Sequence, residues 1–178
     1  VDIPSSDGLT IIHSAAKDGK LDILQSAMSA RVRKHASSNF PTHDGIPTPG
    51  VYAIREAARG KGKVPPEVLD LLLPHEPSIE NIAIEAIRAG ALDILQHIRL
   101  PDLLRVNTEV ITPEGVKTTL ISEALRSGNY DIVRAFVREG ANLEASAEPA
   151  ISSGIKGGCF KGKKALERLD HIRRSGGL

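Results

Sequence analysis

Three glutamates are each followed, three residues later, by an arginine: Glu56 and Arg59, Glu85 and Arg88, Glu123 and Arg126. In a helix this spacing sets both side chains on one face. A carboxylate and a guanidinium so placed form charge-assisted hydrogen bonds, either with each other or with a partner's charges. The matching slots of an earlier segment hold Ser14 and Lys17. Two readings follow. The pairs form a self-neutralising, solvated face, worth only ~0.2–0.5 kcal/mol each. Alternatively they form a charged ladder that recognises a peptide or protein by electrostatic complementarity. On the second reading the contact residues are Lys17, Glu56, Arg59, Glu85, Arg88, Glu123 and Arg126.

The other reactive residues make weaker patterns. Gly157-Gly158-Cys159-Phe160-Lys161-Gly162-Lys163-Lys164 follows the phosphate-binding G-x-x-x-x-G-K-[ST] loop until its last position, where Lys164 replaces the hydroxyl that holds Mg²⁺. No strand pattern precedes it, and little chain follows to build a nucleotide domain. Flexibility between two helices accounts for its glycines. The six histidines (13, 35, 43, 75, 97 and 171) lack metal-ligand spacing. Cys159 has no evident base or orienting group; Lys161 and Lys163 near it would only make the thiol more reactive. Ser37, Ser38 and Thr42 follow Arg31, Arg33 and Lys34, a common context for phosphate acceptors in any exposed segment. None of this amounts to a catalytic constellation. The expectation is a protein that is not an enzyme and uses no cofactor or metal.

Composition narrows the partners. The formal net charge of +1 gives no bulk attraction to nucleic acid or to an anionic membrane. Aromatic residues are 3% of the chain and Trp is absent, which disfavours stacking on bases or sugars. From Ile155 onward seven basic residues face two acids, leaving the rest mildly acidic. This basic end reads as a solvated terminal helix or, more sharply, as a site for an anionic partner. No apolar run reaches the ~20 residues needed to span a bilayer. A single cysteine excludes an intrachain disulfide and fits a reducing compartment, cytoplasmic or nuclear. A start at Val1 rather than Met suggests a processed product or a piece of a larger protein.

The elements that position these residues repeat. Gly19-Lys20-Leu21-Asp22-Ile23-Leu24-Gln25 returns as Gly90-Ala91-Leu92-Asp93-Ile94-Leu95-Gln96, and again as Gly128-Asn129-Tyr130-Asp131-Ile132-Val133-Arg134. Each copy follows a short helical pattern containing Ala: Ile12–Ala16, Ile84–Ala86 and Ser122–Ala124. Repeated helix-Gly-helix units are expected to stack, because one unit alone cannot bury its apolar face. Thr10 can cap the first helix, and Ala15 and Ala16 let its partner approach closely.

This pattern resembles the ankyrin repeat. Thr10-Ile11-Ile12-His13-Ser14-Ala15 follows the family's Thr-Pro-Leu-His-x-Ala signature with Ile in place of Pro and of Leu. Gly140-Ala141-Asn142 resembles the family's Gly-Ala-Asp/Asn ending. The resemblance runs from about Ile3 to Asn142. It implies an all-α helical-repeat solenoid with a few long loops or hairpins, forming a single domain. The units lie at approximately 5–30, 48–74, 78–99, 115–140 and 147–175. It also implies that His13 is structural, bonding loop backbone, and that the first helices line a concave surface where partners dock.

The spacing is irregular. Successive unit glycines (19, 60, 90, 128 and 154) lie 41, 30, 38 and 26 residues apart, against a family period of about 33. Finger-like extensions should therefore come from the two long connections alone, Ala30–Pro49 and Leu100–Lys117. The leading expectation is a non-enzymatic protein-interaction module that uses its first-helix face and long loops. The alternative is a structural scaffold or spacer within a larger multidomain protein.

Overall fold

The recurrent glycines end their helices by one repeated arrangement. Gly19, Gly90 and Gly128 have φ of 65°, 72° and 75°, the left-handed region that residues with a side chain seldom enter. In each case the next N–H reaches back five residues to a helix carbonyl: Lys20 to Ala15 (2.9 Å), Ala91 to Ala86 (2.9 Å) and Asn129 to Ala124 (3.2 Å). The glycine N–H meanwhile bonds the carbonyl three residues back. These are Schellman caps, which satisfy carbonyls that the helix end leaves without partners. The following helix starts at once, so the three sequence copies share one turn geometry.

This computed structural model describes residues 9–34, 40, 45–60, 64–98, 109–112, 114–141, 171 and 174. The chain is mostly helical. Among the described residues there are eight α-helices: α1 (Ile11–Lys17), α2 (Leu21–Lys34), α3 (Pro49–Ala58), α4 (Pro66–Leu72), α5 (Ile79–Ala89), α6 (Leu92–His97), α7 (Leu120–Ser127) and α8 (Tyr130–Arg138). A 3₁₀ turn, Leu73–His75, extends α4. Strands β1 (Glu109–Ile111) and β2 (Lys117–Thr119) form the one described ribbon, antiparallel, with Val110 opposite Thr118. The chain divides into two compact units, 1–85 and 86–178, and the division falls inside α5.

In the first unit, α1 packs against α2 and α3, and α2 and α3 each meet α4. Ile12, Ala15, Ala16, Leu24, Met28, Ala53, Val68 and Leu72 are buried together. Small residues at 15, 16 and 53 allow the close approach. Each fully buried Leu or Ile contributes about 1.5–3 kcal/mol. His13 ties α1 to the chain before α3. Its Nδ1 accepts the Thr10 N–H at 3.1 Å, so that nitrogen carries no proton. Nε2 then holds the proton and donates to the Pro47 carbonyl at 2.9 Å. Tyr52 meets the ring edge-on at 5.8 Å. The histidine bonds loop backbone, as the family resemblance implies for that slot.

In the second unit, α7 packs on α8 and follows directly from β2. Thr119, the last strand residue, is also the N-cap: its hydroxyl accepts the Ser122 N–H at 3.2 Å. Leu120, Ile121, Leu125, Ile132, Val133 and Phe136 are buried. The Asn129 side chain donates to the Ile87 carbonyl, tying the start of α8 to the end of α5. The hairpin lies in the second long connection, one of the two expected to carry an extension. Of the first long connection, residues 35–39 and 41–44 lie outside the described residues. The fifth unit, 147–175, also lies outside them, apart from His171 and Arg174, both helical.

Candidate functional site

The three glutamates of the ladder are buried. Glu56, Glu85 and Glu123 are 5%, 5% and 2% exposed. They lie on α3, α5 and α7, on the sides of these helices that carry the buried Ile and Ala residues. A carboxylate removed from water is costly unless it is paired and hydrogen-bonded, and each of these has arginine partners.

Within the first unit, Arg59 Nη1 donates to Glu56 Oε1 at 2.6 Å, the pairing that the i, i+3 spacing anticipates. Glu85 is reached from a different helix. Arg55 of α3 donates through Nη2 to Oε1 at 2.7 Å and through Nε to Oε2 at 3.2 Å. This two-pronged geometry is the strong form of an Arg–carboxylate pair.

Within the second unit, Glu123 holds two guanidiniums. Arg126 Nη2 donates to Oε1 from one turn away on the same helix, and Arg88 Nε donates to Oε2 at 3.4 Å from α5. Arg88 also grips a second carboxylate. Its Nη1 and Nη2 donate to Glu114 Oε1 and Oε2 at 2.8 and 2.9 Å. Glu114 lies in the hairpin turn, with its side chain 55% exposed. Hydrogen bonding from Arg88 holds its carboxyl well below the ordinary 4.5, at about 2.

The carboxylates thus act from inside, while solvent meets the arginines. The side chains of Arg59, Arg126 and Arg88 are 61%, 34% and 28% exposed. Both readings of the pairs place the glutamates on a displayed face, and burial removes all three from it. Lys17, the first-copy counterpart, pairs with Asp18 at 3.5 Å, an exposed contact of little energetic weight.

Two participants lie outside the i, i+3 pattern, Arg55 and Glu114. Arg55 precedes Glu56 by one residue and has no same-face acid at helical spacing. The signal was in the unit spacing: Arg55 and Glu85 are 30 residues apart, as are Gly60 and Gly90. Glu114 is legible only once the hairpin is known.

The loop from Gly157 to Lys164 lies outside the described residues, as do Cys159, Ser37, Ser38, Thr42, His35 and His43. Among the described residues no group of three His, Cys, Asp or Glu is placed to hold a metal ion. No described helix is long and apolar enough to cross a membrane. Comparison with known proteins gives no match, whether to a family model, a curated protein or a solved structure.

Proposed function

We propose that this chain is a non-enzymatic protein-interaction module of ankyrin-like repeats. It meets a partner protein or peptide through the arginines of its first helices and through its second long connection. The observation that carries this reading is the pairing of half-exposed guanidiniums with buried carboxylates. A guanidinium fixed from behind loses little conformational entropy when it takes a new acceptor in front. Removing a buried carboxylate's partner is costly, which holds the arginines in place. The repeated Schellman turns support the helical-repeat part of the reading. They start successive helices with the same backbone geometry, which suits a rigid presenting surface.

The test replaces Arg59, Arg88 and Arg126 by Gln, singly and together, in the full chain. Gln removes charge while keeping hydrogen-bonding capacity and most of the side-chain length. Circular dichroism melts identify the variants that remain folded. Folded variants should lose capture of the partners that the unaltered chain retains from its native extract. Undiminished capture by a folded triple variant would remove the arginines from the interface.

A further inference from the structure

Arg88 is shared between an inner and an outer carboxylate, and the two differ in kind. Glu123 is buried and engages Nε, which orients the guanidinium plane. It leaves Nη1 and Nη2 directed at Glu114, and these form the two parallel bonds with which arginine recognises a carboxylate. The same Glu123 carboxylate fixes Arg126 through its other oxygen. One buried acid therefore supports two guanidiniums, and one exposed acid occupies the outer face of Arg88.

Glu114 is an exposed occupant, held by the two bonds from Arg88 and by a hydrogen bond from the Thr112 side chain. It stands in a short turn that closes with the Gly115 N–H on the Thr112 carbonyl (2.8 Å) and the Thr112 N–H on the Val116 carbonyl (2.9 Å). A two-pronged Arg–carboxylate pair at the surface lies at the upper end for exposed ion pairs, about 1 kcal/mol. Losing it leaves no buried charge unpaired, because Arg88 keeps Glu123. The same hairpin exposes the apolar side chains of Ile111 and Val116, at 60% and 49%.

We propose that Glu114 is a built-in stand-in for a partner's acid. An acidic side chain of a partner protein displaces it from Arg88, beside Arg126, and packs against the hairpin. This inference rests on the interaction-module reading and supplies the partner's chemistry. The hairpin then acts as a competitor that weakens binding to acid-poor segments, since such segments cannot repay the lost Arg88–Glu114 pair.

The test is fluorescence anisotropy at low salt with the full chain. The probes are a labelled ten-residue glutamate peptide and its glutamine counterpart. The variants are E114Q, E139Q, R88Q and R88K. Glu139 is exposed at the end of α8 and makes the same charge change away from the fork. The glutamate peptide should bind E114Q more tightly than the unaltered chain, on the order of two- to five-fold, the affinity equivalent of the lost competitor. E139Q should leave its affinity unchanged. R88Q should weaken binding; R88K, which keeps the charge without the fork, covers the case in which R88Q does not fold, and should weaken it too.

The proposal is overturned by equal effects of E114Q and E139Q, by no gain in E114Q, or by equal binding of the glutamine peptide. Partner capture that depends on the arginines, combined with no gain in E114Q, would sink this inference and leave the module reading standing.

Discussion

Glu76 approaches the start of α3 from 26 residues further along the chain, and its Oε1 accepts the Gly50 N–H at 2.8 Å. That N–H belongs to the first turn of the helix, where no intrahelical carbonyl is available. Burial pushes the Glu76 carboxyl above its ordinary 4.5, and the bond from Gly50 pulls it back only in part. The folded state therefore holds this proton more tightly than the unfolded chain. The sign follows: the group contributes stability below pH 4.5, and that contribution is lost as pH rises through the folded value. Glu76→Gln keeps an acceptor for Gly50 and removes the ionisation. The variant should gain stability relative to the unaltered chain between pH 4 and pH 7, measured by urea unfolding at both. A stability difference independent of pH would show that Glu76 ionises freely in the fold. Nothing in Pro74-His75-Glu76-Pro77 announces this role, because a cap supplied by a distant residue leaves no local pattern. The i, i+3 spacing of Glu56 and Arg59, by contrast, is a local rule and was legible.

At the scale of elements, the turns at Gly19, Gly90 and Gly128 share one backbone geometry. Gly90 has φ of 72°, and an added Cβ would also lie 3.1 Å from the Asn129 Oδ1. Gly90→Ala should destabilise the protein by about 1–2 kcal/mol, from the left-handed backbone and the displaced Asn129 side chain. A thermal melt unchanged within error would mean that the turn tolerates a side chain and is not the fixed joint described. Gly50 illustrates the opposite case. It sits in a helix with ordinary backbone, yet a Cβ there would lie 2.5 Å from the Glu76 Oε1 and 2.8 Å from the Ile82 Cδ1. The turn glycines were readable because they recur with the same neighbours. Gly50 was not, since its constraint comes from side chains of other elements. The hairpin was readable only as a long connection able to hold one. Its register depends on Val110 finding a buried position opposite Thr118, and a three-residue strand is too short to show alternation.

For the whole molecule, the mostly helical class was legible from periodicity and repeated glycines. The direction faced by the glutamates was not. A Glu three residues before an Arg reads the same on a solvated face and on a packed one. Only the neighbouring helix decides, by bringing Arg55 to Glu85 in the first unit and Arg88 to Glu123 in the second. Each compact unit carries this buried-acid, outward-arginine arrangement. On the proposed function, the outward arginines of each unit, and the hairpin of the second, meet a partner protein. Crosslinking with mass spectrometry, on the full-length protein in its native extract, tests it most directly. Partner crosslinks are expected at Lys17 on α1 and at Lys117 on β2. Crosslinks confined to Lys161, Lys163 and Lys164 would place the contact at the basic end instead and contradict it.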